Sequence, residues 1–342
     1  MKRFFLIPMA VVFLSGLISG VYAAPAEKPI ELRMSHMNPA GSPEDQHYHR
    51  WAKKIEADSK GRLTFRIFPG GVLINAFETY SGTVKGIADF GASYRYDRKG
   101  AELTGFISIC YPGIPDATIG TRILDEIRAK FPAYNKEWER AKELYVVTAG
   151  PAVLITKPRP LRTMEDIKGM QLRIPVRESA DMLTALGGTP VGMPIADFPI
   201  ALEKGTVHGG SVQNAAIQTF KLAPAAKYCT LFSLYNPSNY FAVMNWDSFK
   251  KLPPDLQKVI DNSREWAKHD IVETFDAADK AGAEWAKKQG MEFITLKPEE
   301  MKKWLAVIGP VQDRWGKDED TKGYPATEVL KFIRQRIDAY VK

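Results

Sequence analysis

The chain has 342 residues, 45% of them hydrophobic and 25% charged, with a formal net charge of +7 at pH 7. That length exceeds what a single core usually serves and predicts two domains. Basic and acidic residues alternate, as in Lys53-Lys54-Ile55-Glu56-Ala57-Asp58, so there is no nucleic-acid stripe, and the only cysteines, Cys110 and Cys229, make no disulfide scaffold and read as small buried hydrophobes.

Met1 to Ala23 carries Lys2 and Arg3, an apolar run from Phe4 to Leu17 and the small-residue end Val21-Tyr22-Ala23. This reads as a cleaved secretory signal peptide, too short to span a bilayer, and its loss would remove two positive charges. No second long apolar run follows, so the mature chain is expected to be exported to the periplasm without membrane insertion. The mature chain opens with an alternating strand, Ile30 to His36, a loop to Pro43, and a helix from about Glu44 to Ser59 with Tyr48, Trp51, Ala52 and Ile55 on one face. A strand follows from Leu63 to Phe68, then the turn Pro69-Gly70-Gly71, a helical stretch containing Glu78, and a third strand from Ala88 to Ala92. Strand, helix, strand, helix, strand is the unit of a doubly wound sheet, and the residues just past each strand should converge on one crevice. Helices are predicted over Gly120 to Phe131 and Asn135 to Lys142, and strands over Leu144 to Thr148 and Val153 to Thr156.

The stretch from Gly169 to Gly210 organises the second half. Met170 to Pro175 reads as a strand that ends just past Arg173, because Pro175 has no N–H to donate. Glu178 to Leu186 reads as a helix closed by Gly187-Gly188, Val191 to Met193 as a strand, and Phe198 to Lys204 as a helix that Asp197 can cap and Gly205 can end. Val207-His208-Gly209-Gly210 follows that helix. Arg173 at a strand mouth is placed either for a salt bridge inside the domain or for a two-pronged grip on a carboxylate. Further on, Thr219 to Ala225 is predicted helical, and Tyr228 to Leu234 and Tyr240 to Asn245 as strands. A short helix follows from Trp246, then one long helix from Asp255 to Gln289, with Val259, Trp266, Phe275 and Trp285 spaced to bridge two lobes. A strand from Met291 to Leu296 and two helices close the chain, the second over 325–341.

Catalytic motifs are missing. Asp89-Phe90-Gly91 has none of the companions a kinase needs, and His47 and His49 are two apart on a helix and do not face each other. No nucleophile elbow, phosphate loop or paired metal-ligand motif occurs, and neither a metal nor a cofactor is implied.

A set of segments in one order carries a resemblance. They are Ser35-His36 with Gly41-Ser42-Pro43, Gly61-Arg62-Leu63 leading to Phe68-Pro69-Gly70-Gly71, and Glu78 before Val84 to Asp89. Later come Leu161 to Met170 with Leu172-Arg173-Ile174-Pro175, Leu186 to Met193, Ala201 to Val207, and Trp246 to Pro253. The chain resembles the substrate-binding proteins of tripartite ATP-independent periplasmic (TRAP) transporters, the dicarboxylate-binding-protein (DctP) family. The resemblance implies an α/β, two-domain periplasmic-binding-protein fold, each domain a mixed sheet flanked by helices, with a long connecting helix. It divides the chain into residues 24–149 plus about 238–278, and 150–237 plus about 279–342. It implies capture of an organic acid and delivery to small and large TRAP membrane permease subunits for ion-coupled uptake, with no enzyme activity.

By that resemblance Arg173 makes the two-pronged contact with the ligand carboxylate. The other positions it brings to the cleft are His36, Glu78, Tyr94, Arg95, Pro151, Ile195, Phe198, Ser211, Val212, Asn214 and Tyr235, with Arg98 beside Arg95 as a further anion contact. Val212 occupies a position where the family usually has asparagine, and Pro151 lies in a crossing strand where some members carry a second arginine. Fewer charged contacts favour a monocarboxylate with an apolar or aromatic body, on which Tyr94, Phe198 or Tyr235 would stack. Two alternatives are a ligand receptor for a sensor system and an exported carboxylate-acting enzyme using His36 or His208 as acid or base.

Overall fold

The computed structural model describes residues 28–95, 100–110, 112–175, 177–237 and 239–340. The leader and Arg98 lie outside the described residues. The first half of the chain runs β1 (Ile30–His36), α1 (Pro43–Asp58), β2 (Leu63–Phe68), α2 (Thr79–Val84), β3 (Phe90–Tyr94), α3 (Glu102–Ser108), α4 (Ala117–Lys130), α5 (Pro132–Lys136) and β4 (Lys142–Val147). The second half runs β5 (Ala152–Thr156), β6 (Gln171–Arg173), α6 (Arg177–Ala185), β7 (Thr189–Val191), α7 (Phe198–Lys204), β8 (Gly209–Gln213), α8 (Asn214–Thr219) and β9 (Tyr228–Thr230). It ends with β10 (Tyr240–Met244), α9 (Trp246–Lys251), α10 (Pro254–Lys288), β11 (Glu292–Ile294), α11 (Pro298–Asp320) and α12 (Ala326–Tyr340).

These strands form two sheets, ordered β2-β1-β3-β10-β4 and β11-β9-β5-β8-β6-β7. In the first, β1 is parallel to β2 and β3, as the alternating unit predicts, while β10 returns antiparallel between β3 and β4. In the second, β6 runs parallel to β7 and β8, and β5 runs antiparallel to β8 and β9. The fold is therefore the two-domain α/β arrangement expected, with mixed sheets. The chain crosses between them at residues 148–151 and again at residues 231–237, and the two crossings lie side by side, with Ala149 N–H donating to Pro237 O at 2.9 Å. The third connection is α10, 35 residues long, which packs on α1 and β4 of the first lobe and α8 of the second.

Local chemistry explains why the elements fall where they do. Ser42 caps α1 by accepting from Asp45 N–H at 3.2 Å, Pro43 opens the helix, and Tyr48, Trp51, Ala52 and Ile55 are buried against the first sheet. Gly187 (φ +92°) and Gly205 (φ +73°) terminate α6 and α7 in the left-handed conformation, as read from the sequence.

Other boundaries differ. Asp197 does not cap α7: it ends a 3-10 turn, Ile195–Asp197, that runs into the helix, and its side chain makes no capping bond. The predicted helix over Asn135 to Lys142 stops at Lys136, and Lys142 already belongs to β4. The helix expected from Thr219 is instead α8, ending there, and the strand expected over Tyr228 to Leu234 is only three residues long. Helix α3 had no counterpart in the sequence reading. Helix α12, which the sequence reading grouped with the second domain, packs on α11 and also on α3 and α4, with Val329, Leu330 and Ile333 in the shared apolar cluster. Cys110 and Cys229 are free and buried, one in each of two separate apolar clusters.

Candidate functional site

A cleft between the sheets encloses about 860 Å³ of space including its open mouth. Its walls are mostly apolar, with Tyr94 and Phe275 from the first lobe and its long helix, and Ile195, Phe220 and Tyr235 from the second lobe and the crossing.

Arg173 ends β6 and lies in this wall, only 4% exposed. Its Nη1 donates to Ser211 O at 2.9 Å and its Nε to Met193 O at 3.2 Å, which fixes the guanidinium plane. The Phe198 ring lies behind it, 5.9 Å from the guanidinium carbon. Gly210 makes room for both: a Cβ there would come within 2.8 Å of Arg173 Cβ and of Phe198 Cζ. Among the described residues no carboxylate lies within ion-pairing distance of Arg173. The internal salt bridge that the sequence left open is therefore not made by any acid among the described residues. A buried cation without a counter-charge is costly, and an anion in the cleft would relieve it. Nearby, burial pushes the Tyr235 phenol up, and the Arg173 guanidinium pulls it partly back.

The twelve expected positions separate into three groups. Arg173, Tyr94, Ile195 and Tyr235 line the cleft together. Phe198 and Ser211 stand behind Arg173 and hold it, through the ring and the backbone carbonyl respectively. The other six point elsewhere. Val212 is buried in the apolar cluster behind β8. Pro151 and Asn214 line a separate cavity beside Leu231 and Phe232. Glu78 is exposed at the start of α2 and accepts from Asn75 Nδ2. His36 ends β1 fully buried, with Nε2 3.0 Å from Asp45 Oδ1 and its ring stacked on Tyr48. Burial lowers its pKa to about 4 despite the Asp45 carboxylate, so it is neutral at pH 7. Arg95 turns inward, donating to the backbone oxygens of Glu137 and Gly100 and lying over the rings of Tyr80 and Trp138. His208 accepts from Gln171 N–H through Nδ1, and neither His36 nor His208 lines the cleft.

Asn38, just past β1 where the sequence reading expected the crevice, lines the cleft and accepts from Tyr240 Oη at 2.7 Å, and the Tyr48 hydroxyl donates to Tyr240 at 2.7 Å. Other cleft residues escaped that reading. Gln213 ends β8 and donates to Tyr94 Oη at 2.9 Å, across the cleft. Glu44, in the first turn of α1, and Asp279, on α10, place two carboxyls in the walls. Burial raises both, Asp279 to about 7 with help from Asp276 and Glu44, although Asp279 Oδ1 accepts from Ala215 N–H at 2.8 Å. The resemblance pointed to loop ends past the strands, and no local signal marks an acid on a helix as facing a cleft.

Comparison with known proteins gives the family. The model for bacterial extracellular solute-binding proteins, family 7 (DctP), matches residues 34–318. The chain belongs to this family. A solute-binding protein of Albidiferax ferrireducens is 22% identical to this family 7 protein over 90% of the chain and 91% of the relative. Among solved structures, a TRAP solute-binding protein of Rhodoferax ferrireducens, in complex with copurified benzoate, superposes with a TM-score of 0.82 at 24% identity, covering 91% of this chain and 98% of that one. A marine-metagenome TRAP solute-binding protein specific for aromatic acid ligands, with 3-hydroxybenzoate, gives a TM-score of 0.83 at 23% identity, covering 92% and 99%. The family is one of solute-binding transport proteins and not an enzyme class.

Proposed function

We propose that this family 7 protein captures a monocarboxylate with an aromatic or similarly flat apolar body in the periplasm and hands it to the small and large subunits of a TRAP permease. One observation carries the ligand class: Arg173 is buried without an acidic partner among the described residues and lines an aromatic, mainly apolar cleft. A carboxylate would accept two parallel hydrogen bonds from the guanidinium, and Tyr94, Ile195 and Tyr235 would pack on the body behind it. The benzoate and 3-hydroxybenzoate of the two solved relatives are of the same chemical class. Binding closes the lobes about the paired crossings, and the leader, outside the described residues, directs export.

The test is a thermal-shift screen of ligand-stripped protein against short dicarboxylates, sugar acids, 2-keto acids and aromatic acids, repeated on Arg173→Ala. Ligand at a hundred times its dissociation constant stabilises by about 2.7 kcal/mol, a shift of several degrees. Aromatic acids should give the largest shift, and only with Arg173 present. A shift from dicarboxylates alone, or one that survives Arg173→Ala, would overturn the reading.

A further inference from the structure

The cleft holds a second polar feature, contributed by the lobe that does not carry Arg173. Glu44 is 7% exposed, belongs to the first lobe, and lines the same space as Arg173 of the second. Among the described residues its Oε2, sealed from solvent, has no hydrogen-bond partner, and no Lys or Arg lies within ion-pairing distance. Asp279 Oδ2, in the same cleft, is also unpartnered among them. Buried polar atoms are nearly always satisfied, so an orphan carboxyl oxygen in a ligand cleft implies a partner that arrives with the ligand.

We infer that Glu44 is a specificity-determining residue that hydrogen-bonds a hydroxyl carried by the ligand at the end remote from its carboxylate, so that the cleft selects hydroxylated acids over the same acids without the hydroxyl. This rests on the carboxylate reading of Arg173, since it uses the ligand as a bridge between the two lobes. A hydroxyl fits better than an ammonium. Burial holds the Glu44 carboxyl toward its neutral form, and a hydroxyl can donate to the carboxylate or accept from the acid, whereas an ammonium matches only the ionised state. An acid without the hydroxyl would seal the cleft over an unpaired oxygen, and such sites discriminate strongly against the analogue that lacks the group.

Titration calorimetry on the full-length mature protein tests this with benzoate and phenylacetate, each beside its 3- and 4-hydroxy derivatives. Wild type should bind at least one hydroxy derivative about 10- to 100-fold more tightly than its parent, the range expected of a hydrogen bond to a charged or shared-proton carboxyl. Glu44→Leu should bring that ratio close to one, and Glu44→Gln, whose amide still offers an acceptor and a donor, should keep part of it. Overturning results are a wild type that prefers no hydroxy derivative, or binding that requires Arg173 while Glu44→Leu leaves the ratio unchanged. Failure of every acid to bind wild type would overturn the carboxylate reading, and this inference with it.

Discussion

Gln213 Nε2 donates to Tyr94 Oη at 2.9 Å, joining the last residue of β8 in one lobe to the last residue of β3 in the other. On the closing motion proposed above, the bond would be made only when the lobes are together. Tyr94→Phe and Gln213→Leu should each destabilise closure by ~1 kcal/mol, weakening ligand affinity about fivefold. The double variant should be no worse than either single one, because both remove the same bond. Dissociation constants for the four proteins check this, and additive losses would mean that the two side chains act separately.

Arg173→Ala should weaken carboxylate binding by ~2–5 kcal/mol, the cost of truncating one partner of a buried hydrogen-bonded charge pair. Arg173→Lys should recover little. A lysine keeps the charge but lacks the planar fork that meets Ser211 O and Met193 O while facing the cleft. Calorimetric affinities of the three forms for benzoate decide it, and a lysine variant equal to wild type would make the interaction one of charge alone.

At the crossing, a Cβ on Gly150 would lie 1.6 Å from Asp279 Oδ2. Gly150→Ala should therefore cost ~1–3 kcal/mol through overpacking where α10 meets the crossing strand. Adding Asp279→Ala removes the obstructing oxygens and should return part of that loss. Chemical denaturation of both singles and the double gives the coupling, and a double variant as unstable as the sum of the singles would place the strain elsewhere.

Two buried groups give opposite pH dependences that largely offset each other between pH 4 and 6.5, so each shows only when the other is removed. His36 has a folded pKa of about 4 against 6.5 unfolded, so the unfolded chain takes up the proton first and its contribution to stability is lost as pH falls from 6.5 towards 4. At 1.36 kcal/mol per unit this amounts to ~3 kcal/mol, and His36→Gln should remove that loss. Asp279 acts in the opposite sense. Its carboxyl stays protonated in the folded protein until about pH 7, so stability is lost as pH rises from 3.8 to 7. Asp279→Asn should thus raise the melting temperature at pH 8 and change it little at pH 4, as a pH series of melting curves would record.

How much the sequence revealed depended on where each element finds its partners. The strands β1 and β2, the helix α1 and the long α10 carry their own periodicity and stop signals, and they were readable. Helix α3 was not. Its cap position, Ala101, makes no side-chain bond, and its first N–H groups at Leu103 and Thr104 are accepted by the Glu137 carboxylate from far along the chain. Helix α8 is similar, with Ala215 N–H held by Asp279 of α10. The cleft follows the same rule. Arg173 was legible because Pro175 ends its strand, whereas His36 and Arg95 are drawn inward by Asp45 and by the Glu137 carbonyl, partners that local pattern does not reveal.

The missing counter-charge at Arg173 has a consequence for unloading. Whatever extracts the solute must leave behind a cation that no acid among the described residues neutralises, so departure is favourable only if water enters as the solute leaves. Opening and release then become one event. A receptor surface that merely pried the lobes apart would, by wetting that single side chain, already have done most of the work of emptying the cleft.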